Sequence, residues 1–435
     1  FNKMKSNNFI DEVKWRGMIH DIMPGFEDFL KKNMRSAYIG FDPTSNSLHI
    51  GHLVPIMLLA HFQRSGHRPI ALVGGATGMI GDPSGKSSER NLLDEVTLKT
   101  NQKQIKDQLA HFLDFDESKD NPALLLNNLE WMKGLTFLDF IRDVGKHMTV
   151  NYMMSKDSVK NRISNNESEG MSFTEFSYQL VQGYDFLYLH KNFDCSIQMG
   201  GSDQWGNITS GTELIRRIEN GKGYALTCPL IIKSDGSKFG KTQEGNIWLD
   251  PKKTSVFKFY QYWLNTSDED AEKYIKIFTF LIEEEIKKLT SEHKKTPHLR
   301  ILQKALSKGI TSIVHSDEAY ENALKASNIL FSNNFKEDIE AIDESIFLEI
   351  FEGVPQYEIE LSIINKGLNM ISALSDSTNF LQSNSEARRA LRENSISVNK
   401  IKVNEDYIID KKDLISNKYI ILNKGKRNTY IIKAV

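Results

Sequence analysis

Two cysteines in 435 residues, Cys195 and Cys228, stand far apart and outside any CxxC. They exclude a disulfide framework and a zinc ribbon, and they fit a reducing cytoplasm. No uninterrupted apolar run reaches bilayer-crossing length, so no membrane partner is expected. Neither sign of charge is in excess: 55 Lys and Arg against 57 Asp and Glu leave a net −2, which argues against a uniformly basic nucleic-acid coat. The familiar phosphate loops are missing as well. Gly85-Lys86-Ser87 ends like a P-loop, but Ile80 stands where that loop needs glycine, and the glycines from Gly74 to Gly85 lack GxGxxG spacing.

The near-balance of charge hides an asymmetry. From Lys366 onward there are 13 Lys and Arg against 7 Asp and Glu, so this stretch carries +6 and the remainder −8. A basic tail on an acidic body suggests a polyanion contacted at one end. The length exceeds one ordinary core, and two or three domains are expected.

The stretch that organises the rest is Leu48-His49-Ile50-Gly51-His52. It follows a strand-like run, Ala37–Phe41, and precedes a long apolar helix opening at Leu53. A helix start offers free backbone N–H groups to phosphate, and glycine admits a planar ligand close to the backbone. Two imidazoles can donate to phosphate oxygens as their charge grows. Taken alone, two histidines three apart are more often plain polar surface.

Further along, Pro69–Val73 reads as a second strand running into a glycine-rich turn, which is the opening of a parallel α/β sheet. Residues 91 to 170 read as mostly helical, and those before 36 as one or two helices broken at Pro24-Gly25. In the aromatic helix from Phe173 to Lys191, Tyr178, Gln182 and Asp185 share one face, as a satisfied core network or a ligand wall. Ser196–Met199 reads as a strand whose end carries Gly200 to Asn207, so three turns converge outside the strand ends. Lys238 and Lys241 sit in a Gly/Ser-rich loop able to clamp a polyphosphate, or simply to be solvated. Helix follows helix from Lys252 to Ala341. A basic helix and short β-branched runs then form a small α+β module, whose Arg388, Arg389, Arg392, Lys424, Lys426 and Arg427 could meet an RNA backbone.

Together Tyr38–His52, Gly74–Gly85, Phe173–Phe186, Gly200–Asn207, Lys238–Thr242 and Ile247–Asp250 resemble, in order and spacing, the blocks of the bacterial-type tyrosyl-tRNA synthetases of class I. The resemblance spans nearly the whole chain. It implies an α/β Rossmann-like parallel-sheet catalytic domain over 1–245 with an inserted dimerisation segment and a mobile KFGKT loop. An α-helical domain over 246–350, a linker over 351–366 and a basic RNA-binding domain of the ribosomal small-subunit protein S-four type over 367–435 would follow.

The same resemblance implies residue roles. Tyr38 and Asp185 would bind the substrate phenol, Asp82, Tyr178 and Gln182 its ammonium, with Asp42 near the amine and Gln198 beside the pocket. Thr44, His49, His52, Lys238, Lys241 and Thr242 would stabilise the reacting phosphates; Gly40, Gly51, Gly200, Asp203, Gln204 and Lys241 would hold ATP. ATP would arrive with Mg2+, and no protein-bound metal or organic cofactor is implied. The partners would be tRNA-Tyr, L-tyrosine, ATP and, through Phe173, a second copy in a homodimer. A pocket that pairs with a hydroxyl is left with unpaired groups by the analogue lacking it, so no editing domain is expected. The nearest other readings are a tryptophanyl-tRNA synthetase, which should lack the basic module, and a non-catalytic RNA-binding relative.

Overall fold

Six strands build the sheet of the first unit: β1 (Asp21–Ile22), β2 (Ser36–Phe41), β3 (Arg68–Val73), β4 (Leu124–Asn127), β5 (Cys195–Gly201) and β6 (Tyr224–Cys228). Their order is β1-β6-β5-β2-β3-β4, parallel throughout except for β1 at one edge. The computed structural model describes residues 8–43, 45–80, 94–164, 171–242, 245–329, 335–352, 354–425 and 428–435. It divides into two units, Phe1–Asp317 and Glu318–Val435.

Strands β2, β3, β5 and β6 are buried almost throughout, as apolar runs in a parallel sheet covered on both faces must be. Helix α1 (Leu53–Arg64) is likewise buried on nearly every side, including Ile56 to Phe62. Pro55 falls in its first turn, where the missing N–H leaves no bond unmade. Helix α2 (Phe173–Phe193) starts at a capping box of Ser172 and Glu175 and ends at Asp194 in the left-handed region; α3 (Trp205–Glu219) follows β5.

Strand order reverses between β2 and β5, the neighbours at the middle of the sheet. Outside the strand ends at such a point, connections diverge to opposite sides and leave a crevice. Two details depart from the sequence reading. The stretch 91–170 is not helix alone, because Leu124–Asn127 joins the sheet beside β3. The N-terminal stretch adds β1 to its two helices, Phe9–Trp15 and Phe26–Leu30. Beyond the sheet, helices Val256–Leu264, Asp268–Phe278, Glu283–Lys295 and Ile301–Val314 follow in succession. Phe259, Trp263, Tyr274, Phe278, Leu306 and Ile310 from these helices share a core with α1.

The second unit is built on a five-stranded sheet. Its strands are β9 (Gln356–Ile359), β11 (Ile396–Val398), β12 (Ile401–Lys402), β14 (Tyr419–Lys424) and β15 (Asn428–Ala434), in the order β12-β11-β14-β15-β9. The ribbon Lys241–Thr242 with Gly245–Asn246 (β7, β8) belongs to the first unit, and Leu368–Asn369 with Ile408–Ile409 (β10, β13) makes a second ribbon here. Both faces of the five-stranded sheet are covered. Ile420, Leu422 and Ile432 pack with Leu374, Ala387 and Leu391, whereas Ile421 and Ile431 pack with Phe335, Phe347 and Phe351. That is why Tyr419–Leu422 reads as a continuous apolar run. It also corrects the expected linker over 351–366, since β9 within it pairs in parallel with β15 and Leu361–Lys366 is helical. Helix α4 (Asn384–Arg392) buries Ala387, Ala390 and Leu391 and leaves Arg388, Arg389 and Arg392 exposed.

Candidate active site

At the reversal point Tyr38 of β2 and Gln198 of β5 are direct register partners, so their side chains share one face of the sheet. Both are buried, at 1% and 3% exposure. The Tyr38 hydroxyl and the Gln198 Oε1 have no hydrogen-bond partner among the described residues. Buried polar atoms are normally paired, so two orphans side by side mark a place prepared for a polar ligand group. Asp185 of α2 faces the same pocket. Its carboxylate accepts from Asn128 Nδ2 at 2.9 Å and from Trp131 Nε1 at 2.9 Å.

Electrostatics follow from that burial. Asp185 is pushed up to about 7 by desolvation, which outweighs the two donors, with the nearby Asp42 charge adding to the rise. Burial and the Asp185 charge together hold the Tyr38 phenol well above its ordinary value. Tyr38 is therefore a neutral donor or acceptor, and Asp185 is poised between its forms near neutrality.

A chain of hydrogen bonds runs from Asp185 through Asn128 and Thr77 to Asp42. Thr77 Oγ1 donates to Asp42 at 3.2 Å and accepts from Asn128 Nδ2 at 3.1 Å, while Asn128 Oδ1 accepts from the Ala76 N–H at 2.7 Å. Gly74 and Gly75 make room for it: a Cβ at Gly74 would lie 2.5 Å from Asp42 Oδ1, and one at Gly75 2.2 Å from Asn127 Oδ1. The glycine-rich turn thus serves close side-chain approach. Thr77, Asn128 and Trp131 were not singled out from sequence. The signal that could have found them is the apolar run Ala123–Leu126 ending in two asparagines, a strand end aimed at the same crevice.

Gln182, one turn from Asp185, donates to Gln204 Oε1 at 3.3 Å and accepts from Asn207 Nδ2 at 3.1 Å. Tyr178, one turn further back, is buried. Gly200 lies near the end of β5, and Asp203 and Gln204 lie in the turn between β5 and α3. Gly40, near the end of β2, has open space where a Cβ would stand.

The two signature stretches meet. His49 Nδ1 accepts from the Gly51 N–H at 3.1 Å, and His52 Nδ1 accepts from the His49 N–H at 3.2 Å, with the rings 4.1 Å apart. A ring nitrogen that accepts carries no proton, so each neutral imidazole holds its proton at Nε2. Ile50 N–H donates to Ile247, Leu249 N–H to Leu48, and Ile247 N–H to Gly240, so the chain leaving the KFGKT loop is stitched to the HIGH turn. Gly240, at φ +84°, brings its α-carbon so near that a Cβ would lie 3.0 Å from Ile50 and 3.4 Å from the Gly51 nitrogen. Phe239 anchors the loop, stacked on Phe278 at 5.3 Å and edge-on to Tyr274 and Tyr262.

Lys238 is exposed on that loop, and Lys241 and Thr242 form the short strand that follows it. Thr44, Asp82, Lys426 and Arg427 lie outside the described residues, as does Gly85-Lys86-Ser87. Arg388, Arg389, Arg392 and Lys424 belong to the second unit. There Arg388 pairs with Glu405 at 3.3 Å and Lys424 with Glu386 at 2.6 Å. Both cysteines are buried, and burial pushes each thiol up to about 12, so neither is a nucleophile. Among the described residues no cluster of His, Cys, Asp or Glu could hold a metal ion, and no helix is long and apolar enough to cross a membrane.

Comparison with known proteins places the chain in a family. Residues 31–332 match the family described as tRNA synthetases class I (W and Y), and residues 347–432 match the tyrosine–tRNA ligase SYY-like C-terminal domain. The chain is 59% identical to a tyrosine–tRNA ligase of Flavobacterium johnsoniae over 430 residues, covering 98% of this chain and 100% of the relative. It is 59% identical to one from Porphyromonas gingivalis over 426 residues, covering 98% and 99%. A C-terminally truncated mitochondrial tyrosyl-tRNA synthetase of Aspergillus nidulans superposes with a TM-score of 0.66 at 32% identity, covering 75% of this chain and 95% of that one. This chain belongs to the class I tRNA synthetases, within the tyrosine–tRNA ligase family.

Proposed function

We propose that the crevice activates L-tyrosine with ATP and passes it to tRNA-Tyr, with the residues in the following roles. The observation that carries the reading is the orphaned Tyr38 hydroxyl beside the buried Asp185 carboxylate. A tyrosine phenol fits both: it donates to Asp185 and accepts from Tyr38. Tyr178, Gln182, Asp42 and Asp82 receive the ammonium. Gln198 lines the pocket.

Tyrosine's carboxylate then attacks the α-phosphorus; the new O–P bond forms as the bond to pyrophosphate breaks. The carboxylate is already a competent nucleophile, so positioning and charge stabilisation are what the site must supply. His49 and His52 donate through Nε2 to phosphate oxygens, joined by Thr44, Lys238, Lys241 and Thr242. Gly51 lies flat under the adenosine, Gly40 and Gly200 leave room for ATP, Asp203 takes the ribose, and Gln204 positions the substrate. Mg2+ enters with ATP as part of the substrate. In the second step a terminal ribose hydroxyl of tRNA attacks the tyrosyl carbonyl and AMP departs.

The layout we propose is a Rossmann-like catalytic domain, a helical domain after it, and an S-four-type module at the C-terminus. There the exposed Arg389 and Arg392, with Arg388, Lys424, Lys426 and Arg427, meet the RNA backbone. The chain works in the cytoplasm as a homodimer. Helices Phe137–Asp143 and Val150–Met154 share a small core with α2 yet turn Phe137, Leu138, Ile141 and Val150 to solvent, as α2 does Phe173 at 68% exposure. Such apolar exposure suits a partner copy. Phe173→Asp should therefore weaken self-association by about a hundredfold or more, because a carboxylate would be buried unpaired. Sedimentation equilibrium checks this; an unchanged mass would remove Phe173 from the interface.

The test of the activity is exchange of labelled pyrophosphate into ATP, with tyrosine, tryptophan and phenylalanine supplied separately. Exchange with tyrosine alone supports the phenol-reading pair. Exchange with tryptophan, or none from folded protein, overturns it.

A further inference from the structure

A third lysine stands near the phosphate-binding turns, outside both signature stretches. Lys253 is exposed by residue, yet its Nζ lies 3.0 Å from Ser45 Oγ and 4.3 Å from the centroid of the Trp248 ring. Neither partner is an anion, so these contacts aim the ammonium without neutralising it. Trp248 in turn meets the His49 imidazole edge-on, with centroids 5.7 Å apart at 77°, and its backbone bridges that of His49. Two ring contacts thus separate a fixed cation from the HIGH turn.

The turn that carries Lys253 is tied down on several sides. Trp248 N–H donates to Thr254 Oγ1 at 2.9 Å, Asp250 N–H to Ser47 Oγ at 3.2 Å, and Lys253 N–H to the Asp250 carbonyl at 3.0 Å. Leu249 N–H reaches the Leu48 carbonyl at 2.9 Å. Residues 248–254 and 45–49 are therefore tied to one another by hydrogen bonds. Lys238 and Lys241 lie on the KFGKT loop. A triphosphate bears several negative charges close together, and the departing pyrophosphate keeps most of them. A lysine stem laid on an aromatic face, with its head free to leave a hydroxyl for a stronger acceptor, suits that load.

We propose that Lys253 binds the β- and γ-phosphate end of ATP and the leaving pyrophosphate. Ser45 and Trp248 hold its ammonium in place until the nucleotide arrives. This rests on the reading of the HIGH turn as the phosphate site.

The test is steady-state pyrophosphate exchange with Lys253→Ala, Lys253→Gln and Lys253→Arg, alongside equilibrium binding of tyrosine. Lys253→Ala should lower kcat/KM for ATP by about tenfold or more and raise KM for pyrophosphate, with the tyrosine Kd unchanged. Lys253→Gln keeps much of the stem over Trp248 without the charge, and should lose as much. Lys253→Arg keeps the charge and should recover most of the activity. ATP parameters within twofold of the parent in Lys253→Ala, or full activity in Lys253→Gln, would overturn the proposal. His49→Ala separates the two readings. If it retains exchange, the phosphate site itself is misplaced; if it loses exchange while the Lys253 variants match the parent, only the role of Lys253 fails.

Discussion

Asp185→Asn should lower kcat/KM for tyrosine in pyrophosphate exchange by about a hundredfold or more, because a charge-assisted hydrogen bond in a dry pocket is lost and an amide cannot serve both donors and the phenol. The substitution keeps volume and shape, so a folding defect is a poor explanation of a loss confined to tyrosine. The parent should also show a pH dependence that the variant lacks. The ionised carboxylate is the stronger acceptor of the phenol's hydrogen bond, and Asp185 sits at about 7. Tyrosine affinity should then weaken as pH falls through 7, approaching about tenfold per unit. The stability linkage has the opposite sign. The folded chain keeps a proton that the unfolded chain, at 3.8, releases, so this group's stabilising contribution is full below about 4 and is lost as pH rises through about 7. A fluorescence titration with tyrosine from pH 5.5 to 8.5 reads the first effect. A flat profile in the parent would show that the protonated acid serves equally well.

How far this pocket was legible in the sequence depends on what each residue needs to reveal itself. The face of Tyr178, Gln182 and Asp185 was readable because helical spacing is local, and α2 runs over almost the expected residues. The adjacency of Tyr38 and Gln198 was not derivable from spacing; it arises from the register of two strands 160 residues apart, which the resemblance supplied and periodicity could not. Asn128, Trp131 and Thr77 escaped for a related reason. They hold Asp185 and Asp42 by single hydrogen bonds across the sheet, and no pattern along the chain encodes such a bond. The four-residue β4 was hidden among helices because a short apolar run suits either element. At the other end, glycine and proline mark 351–366 as a linker, whereas β9 within it pairs with β15. Turn residues mark where a chain bends, but they do not say what the extended piece beyond will pair with.

His49→Ala should lower kcat for adenylate formation by about a hundred- to a thousandfold, the range for removing one preorganised donor to developing charge, with the KM for tyrosine little changed. Its ring accepts from the Gly51 N–H, lies against His52 and meets Trp248 edge-on, so the imidazole is oriented before substrate arrives. That preorganisation depends on residue 51 having no side chain. A Cβ at Gly51 would lie 2.7 Å from His49 Cε1 and 2.9 Å from its Nδ1, inside any tolerable contact. Because Gly51 is exposed and lies outside the left-handed region, Gly51→Ala should fold normally and yet swing the imidazole off its cap. We expect it to show the kinetic pattern of His49→Ala in milder form, with kcat lowered and tyrosine binding intact. Full activity in Gly51→Ala would mean that the imidazole finds its catalytic position without the cap; loss of tyrosine binding in His49→Ala would mean that the ring belongs to the amino-acid pocket and not to the phosphates.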